Sequence, residues 1–249
     1  ASLTSKGTAG FGQEFRTGHI FNTNGATSRK AHIISFMATQ DDTDVTVSDY
    51  GSVDFRNINE SSGTITVTLN AGESYVLAAH ADDNTANLND VNGTRISSDK
   101  DIVVYSGSWL GGSPGGTDQG RDIGIDQIAS VEQTGFEYIL VKGEGTTSEN
   151  VIVVSSIDGT EVFLNGASTP TVTLNAGDYH RFTATDFNAT NENMYVSANQ
   201  PVYVYQGLNG AVSSNERQLG MNFMPPIVCL GGTNVNINDI DQLGTPIIH

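Results

Sequence analysis

The sequence predicts an all-β protein: two similar antiparallel β-sandwich-like units, produced by internal duplication and packed in tandem. Three observations lead there. Glycine supplies 28 of the 249 residues, Thr and Asn are frequent and Lys is scarce, a balance that favours strands and turns over helices. No long window carries apolar residues at i, i+3, i+4 and i+7, whereas turn signals recur about every 8–12 residues. Finally, the hexapeptide VTLNAG occurs twice, at Val67–Gly72 and at Val172–Gly177.

The elements follow in order. In HIISFMATQDDTDVTVSDYG, Ile33, Ile34, Phe36 and Met37 form an apolar run, Asp41-Asp42 breaks it, and Val45 and Val47 then alternate. This reads as a hairpin. In GTITVTLNAGESYVLAA, Ile65, Val67 and Leu69 share a face, Asn70-Ala71-Gly72 turns, and Tyr75 and Leu77 return, which reads as a second hairpin. The polar loop DDNTANLNDVNG leads to a buried-looking strand through Ile102, Val103, Val104 and Tyr105. The second half repeats this order. NVIVVSSIDGTEVFLNG breaks at Asp158-Gly159, PTVTLNAGDYHRFTA turns at Asn175-Ala176-Gly177, and MYVSANQPVYVYQGLNG carries Val202, Val204 and Tyr205. VTLNAG starts at Val67 and Val172, 105 residues apart, and the following strands end at Gly107 and Gly207, 100 residues apart. The difference falls in the polar loop, where length changes are tolerated. The units are drawn at 1–119 and 120–249. Gly120–Val141 leads from one into the other, and INDIDQLGTP near the end echoes it, as though a further strand were about to begin. On this reading both VTLNAG copies are scaffold: Leu69 and Leu174 sit in cores, and Gly72 and Gly177 make turns.

Composition also bounds the function. Eleven basic against 28 acidic residues give a net charge of −17. With no basic stripe to displace counterions, nucleic acid is a poor partner, and an anionic membrane surface would repel the chain. No run of eighteen apolar residues appears, so no segment is expected to insert in a membrane. No leader is legible at the start. Ala1-Ser2 and His249 read as cut edges, so a leader is expected to have been removed. The single cysteine, Cys229, excludes an intrachain disulfide and a cysteine-based zinc site. It reads as a small buried hydrophobe.

Several clusters are candidates for chemistry. Ca²⁺ takes six to eight oxygen ligands, which Asp- and Asn-rich loops supply. Asp82, Asp83, Asn87, Asn89 and Asp90 form the candidate Ca²⁺ site, although they lack the full EF-hand spacing; the plain alternative is a solvated loop built on Asx turns. Asp41-Asp42-x-Asp44 reads as a turn, because its counterpart Ile157-Asp158-Gly159 carries fewer carboxylates. Beside the glycine-rich stretch Gly111–Gly116, Trp109, Asp118, Arg121, Asp122 and Asp126 are the candidate ligand-contact residues. A long loop after a strand often carries function, and an exposed Trp suits stacking on a sugar or peptide; alternatively Trp109 plugs the end of the core. His19, His32, His80, His180 and His249 show no metal or catalytic spacing. No nucleophile elbow, P-loop or dinucleotide fingerprint is present, and no catalytic residue is nominated.

The motif set resembles the N-terminal domain family of IgGFc-binding proteins. The resemblance is carried by Asp42, Thr43, Asp44 and Val45; by Leu69, Ala71, Gly72 and Tyr75; by Ile96, Ser98, Ile102, Val104, Tyr105 and Gly107; and by Asp126-Gln127. The second unit matches at Leu174, Ala176, Gly177, Tyr179, Val204, Tyr205 and Gly207, and NFMPPIVC is similar to a PP-x-x-C segment of bacterial members. The resemblance implies a secreted or surface-displayed, adhesin-like bacterial module within a larger protein. It implies a protein or glycan ligand at a cell surface and no enzymatic activity. Fc binding itself is not carried over, since animal members are richer in cysteine. The competing expectations are a carbohydrate-binding module or carbohydrate-active enzyme domain, and a purely structural spacer.

Overall fold

The computed structural model describes residues 5–21, 31–56, 58, 63–80, 88–110, 123–143, 149–209 and 219–227. Fourteen strands make two seven-stranded antiparallel sheets, and the described residues contain no α-helix. The first sheet holds β1 (Phe11–Arg16), β2 (Ala31–Ala38), β3 (Thr43–Ser48), β4 (Ile65–Leu69), β5 (Ser74–His80), β6 (Arg95–Leu110) and β7 (Gly124–Ile128). The second holds β8 (Gly135–Val141), β9 (Asn150–Ser155), β10 (Thr160–Leu164), β11 (Val172–Leu174), β12 (Tyr179–Thr183), β13 (Asn193–Asn209) and β14 (Leu219–Phe223). The order β4-β3-β6-β2-β5, with β1 and β7 also on β6, recurs as β11-β10-β13-β9-β12, with β8 and β14 on β13. The all-β architecture of two similar units is therefore as expected.

Each sheet is organised by one long, bent strand. The first part of β6 pairs with β3 and the later part with β2. Between them β1 slips: Glu14 faces Ser97, yet Gly12 faces Ile102. The same slip occurs on β13, where Glu137 faces Ser197 and Gly135 faces Val202. Ser98–Asp101 and Ala198–Pro201 are thus matching bulges, which bend a strand and carry it from one layer to the other. A side chain in each bulge caps the neighbouring strand. Asp99 accepts the Asp44 N–H at 2.8 Å, and Asn199 accepts the Glu161 N–H at 2.9 Å. Pro201 fits here because a bulge needs no ladder donor.

This geometry corrects both hairpin expectations. β2 and β3 do not pair; they follow one another along the same side of β6. β4 and β5 lie at opposite ends of the sheet order, so VTLNAG is an arch between layers. Local alternation marks strands and turns but not partners, and here the long strand offers a ladder to both neighbours. The strand slot beside β13, matching that of β7 beside β6, is taken by Leu219–Phe223. The echo segment INDIDQLGTP lies outside the described residues. Although it falls beyond residue 119, β7 belongs to the first sheet, and the chain passes between sheets at 129–134.

Burial divides unevenly. Among the described residues, one core belongs to the second unit alone, with Tyr138, Val153, Val162, Leu174, Phe182 and Val204 among its members. The other is shared: the inner face of the first sheet meets Ile152, Val154, Tyr203, Tyr205, Met221 and Phe223 of the second. Alternate residues of β9 therefore serve different cores, which explains its burial on both faces.

The segment Thr17–Phe21 lies between the units as a strap. Gly18 exchanges hydrogen bonds with the Ser106 hydroxyl, and the Ile20 N–H donates to Ser108 at 3.2 Å. The His19 N–H donates to Asn92 at 2.7 Å. A Cβ on Gly18 would overlap the Tyr205 ring, so only glycine fits. His19 is fully buried, and its Nε2 lies 3.1 Å from the Ile33 carbonyl. Burial pulls its pKa from 6.5 down to about 4, partly offset by that carbonyl. The fold thus prefers neutral His19, whereas the unfolded chain takes up a proton near pH 6.5. Stability is complete above pH 6.5 and declines as pH falls from 6.5 to about 4, by up to about 3 kcal/mol. Urea unfolding at several pH values should show this decline, and it should shrink in His19→Gln.

Candidate ligand cleft between the units

The two VTLNAG arches are built alike. Gly72, at φ 82°, donates its N–H to the Ala38 carbonyl, and Gly177, at φ 87°, donates to the Ser155 carbonyl. Asp41 accepts the Ala71 N–H at 3.0 Å, and Asp158 accepts the Ala176 N–H at 2.9 Å. Glu73 and Asp178 accept the amide at the head of each turn, that of Asn70 and of Asn175. The Asp41-Asp42-x-Asp44 cluster is thereby accounted for as turn chemistry, with Lys100 bound to the carbonyls of Asp41 and Asp42.

The surroundings of the arches differ. At the first, Gly72 has open space around it. The second is seated on the first unit: a Cβ on Gly93 would overlap the Gly177 carbonyl oxygen, and Gly93 has φ 86°. Arg16 lies beneath, only 4% exposed at its side chain, donating to Asp49 at 2.6 Å and to the Gly93 carbonyl at 2.9 Å. Asp49 is itself 47% exposed, so the pair opens to water on that side, and without Asp49 the buried guanidinium would keep only the Gly93 carbonyl of these two acceptors.

Beside this contact opens a cleft of about 410 Å³, within the range of ligand sites. Its walls come from both units. Asp49, Gly51, Asp90 and Asn92 stand on one side, and Leu174, Gly177, Asp178 and Tyr179 on the other. Among the described lining residues, three side chains are carboxylates and none is a cation. Burial raises the Tyr179 pKa, and the nearby Asp90 charge raises it further, so the phenol stays a neutral hydrogen-bond donor. The Tyr179 ring also lies 6.3 Å from that of Phe21, which carries the Arg181 guanidinium 4.6 Å above it.

Of the expected Ca²⁺ ligands, Asp90 lines this cleft. Asn89, in the same 3-10 turn Leu88–Val91, uses its carbonyl to hold Asn92. Asp82, Asp83 and Asn87 lie outside the described residues. Among the described residues, no three His, Cys, Asp or Glu side chains are grouped to hold a metal ion. Of the expected ligand-contact residues, Trp109 stands on β6 with 53% of its surface exposed. Asp126 is buried on the adjacent β7, accepting the Phe223 N–H at 2.9 Å and Lys6 at 3.0 Å. Asp118, Arg121, Asp122 and Cys229 lie outside the described residues. A second, apolar hollow of about 420 Å³ lies nearby, between Lys6, Ala129, Phe223, Pro225 and Pro226.

Asp49, Asn92, Asp178 and Tyr179 were not singled out in the sequence as ligand residues, and the second VTLNAG copy, read as scaffold, forms part of the cleft wall. The usable signal was the residue pair after the turn: Glu73-Ser74 in one copy and Asp178-Tyr179 in the other.

Over residues 1–243 the sequence matches the family described as IgGFc binding protein. The chain belongs to that family. The family residues Leu69, Ala71 and Gly72, with Leu174, Ala176 and Gly177, are those of the arches, and Ile102 and Val104 are core residues of β6. No curated protein and no solved structure matches the chain. Among the described residues, no helix is long and apolar enough to cross a membrane.

The seating of the second arch can be measured. Gly93→Ala should lower stability strongly, through both its left-handed backbone and its overlap with the second unit. Gly72→Ala meets open space and should cost only the roughly 1–2 kcal/mol of a left-handed alanine. Guanidinium unfolding of the two variants compares them; equal losses would refute the seating.

Proposed function

We propose that the chain is an extracellular, non-catalytic ligand-recognition module of a larger surface protein, and that the acidic cleft between its units contacts a basic segment of a protein ligand. Family membership supports a binding role. The observation that carries the assignment to the cleft is the convergence of Asp49, Asp90 and Asp178 on one concave junction, with no cation among its described lining residues. Opposite charge steers such a partner and sets its register more than it adds affinity. Asp49 holds Arg16 and Asp178 holds its turn, which leaves Asp90 as the carboxylate whose change least disturbs the fold. A lysine-rich decapeptide and an IgG Fc fragment serve as probes. The peptide should bind at low salt, weaken as salt rises, and bind about threefold more weakly to Asp90→Asn. Peptide binding indifferent to both salt and Asp90 would exclude the cleft.

One observation favours a second reading. The exposure of Trp109 at the end of β6 suits stacking on a glycan, and a glycan array comparing the parent with Trp109→Ala separates the two. Ca²⁺ held by Asp82, Asp83, Asn87, Asn89 and Asp90 remains part of the proposal. An ion at 100 times its Kd adds about 2.7 kcal/mol, so melting in Ca²⁺ should exceed melting in EDTA. Coincident curves would remove the ion.

A further inference from the structure

The sheet that buries one outer face in the second unit leaves the matching face open in the first. Register makes the comparison residue by residue. Phe36 pairs with Val104 as Val153 pairs with Val204, and Tyr105 pairs with Gln127 as Tyr205 pairs with Phe223. The buried positions Ile152, Val154, Tyr205 and Met221 therefore correspond to Ser35, Met37, Tyr105 and Ile125. On the edge strands, Arg181 corresponds to Val76. At one end the first-unit face is covered by the turn Gly7–Gly10, where the Lys6 N–H donates to Gln127 at 2.7 Å. The remainder is open: Met37 is 40% and Val76 56% exposed, and Ile33, Ala78, Tyr105 and Ile125 are half-buried.

Charge makes this face unusual. The chain carries 28 acidic residues. Yet the alternate, outward-facing positions from Ile33 to Met37 of β2, from Ser74 to His80 of β5 and from Val103 to Tyr105 of β6, with Ile125 and Gln127 of β7, include no Asp, Glu, Lys or Arg; Asp126, between the last two, faces inward. Two copies at −17 each repel, and a surface free of carboxylates is where they can approach most closely.

We propose that this face docks a second copy of the chain. What that copy presents follows from the fold. The strap side of the first unit, which receives the second unit's face, is already filled within each chain. The matching surface a second copy still has free is its own open face. The contact is therefore face to face, each copy using the same residues, and it closes as a two-fold dimer rather than growing into a filament.

Sedimentation velocity over a concentration series tests this. The weight-average mass should rise from 26.3 kDa towards twice that value. It should rise at lower protein concentration in high salt, because screening removes the repulsion; this is opposite to the salt response expected of the acidic cleft. Val76→Lys should hold the chain monomeric, with the circular dichroism of the parent. Should that variant misfold, Ser35→Glu, on the same face, should have the same effect. Ile139→Lys, at a residue 57% exposed on β8, should leave association unchanged. A parent that stays monomeric at every concentration and salt, folded Val76→Lys and Ser35→Glu that both associate like the parent, or loss of association in Ile139→Lys would each overturn the proposal.

Discussion

Two stacked tyrosines hold the molecule together. Tyr203 and Tyr205 lie with ring planes 4° apart and centroids 6.0 Å apart, buried between the sheets. Each ring removes a large apolar area from water, and each hydroxyl must then find a partner inside. Tyr203 reaches the Ala129 carbonyl at 2.9 Å, and Tyr205 reaches the Arg16 carbonyl. These carbonyls begin the two segments that run between the units, the passage after β7 and the strap after β1. The pair thus fixes the positions of β1, β7 and β13 together. Burial drives both phenol pKa values well up, so the hydroxyls remain donors at any ordinary pH. Phe223 closes the group edge-on at 5.8 Å, and Asp126 anchors the backbone of Phe223.

From that junction the cleft follows. Because the tyrosines set how the sheets meet, they set where the second arch lands, and it lands on Gly93. One glycine contact and the pairing of buried Arg16 with half-exposed Asp49 then shape a hollow in which carboxylates from distant parts of the chain converge. The same topology gives the first unit an arch with nothing seated on its Gly72 among the described residues. Equivalent folds therefore have unequal surroundings, and the cleft arises from the inequality.

Most of the architecture was legible in the sequence. Apolar alternation located the strands, the repeated VTLNAG located equivalent positions, and the Asp41 and Asp158 sites were read correctly as turn chemistry. Strand partners were not legible. The bulges at Ser98–Asp101 and Ala198–Pro201 share only an Asp or Asn at their second position, too little to mark them, and without them a long strand does not reveal that it serves two layers. The strap was also hidden, since its bonds come from Ser106 and Ser108, alternate residues of an ordinary-looking strand. The cleft was half legible: Asp90 stood out by composition, whereas Asp49 and Asp178 carry no pattern in the sequence that sets them apart from the other acidic residues. Only the fold places them together.

The division of the cores has a consequence for how the chain comes into being. Among the described residues, the second unit's core is built from its own residues, whereas the first unit's core is finished by residues as late as Met221 and Phe223. A chain emerging from the ribosome makes the dependent half first and the self-sufficient half last. During synthesis the first half can pack its own residues, Phe36 on Tyr75 among them, but the residues that finish that core, Ile152 to Phe223, arrive only with the second half. A ribosome that stalls before them leaves a nascent chain with one side of its first core unsealed, a substrate for chaperones.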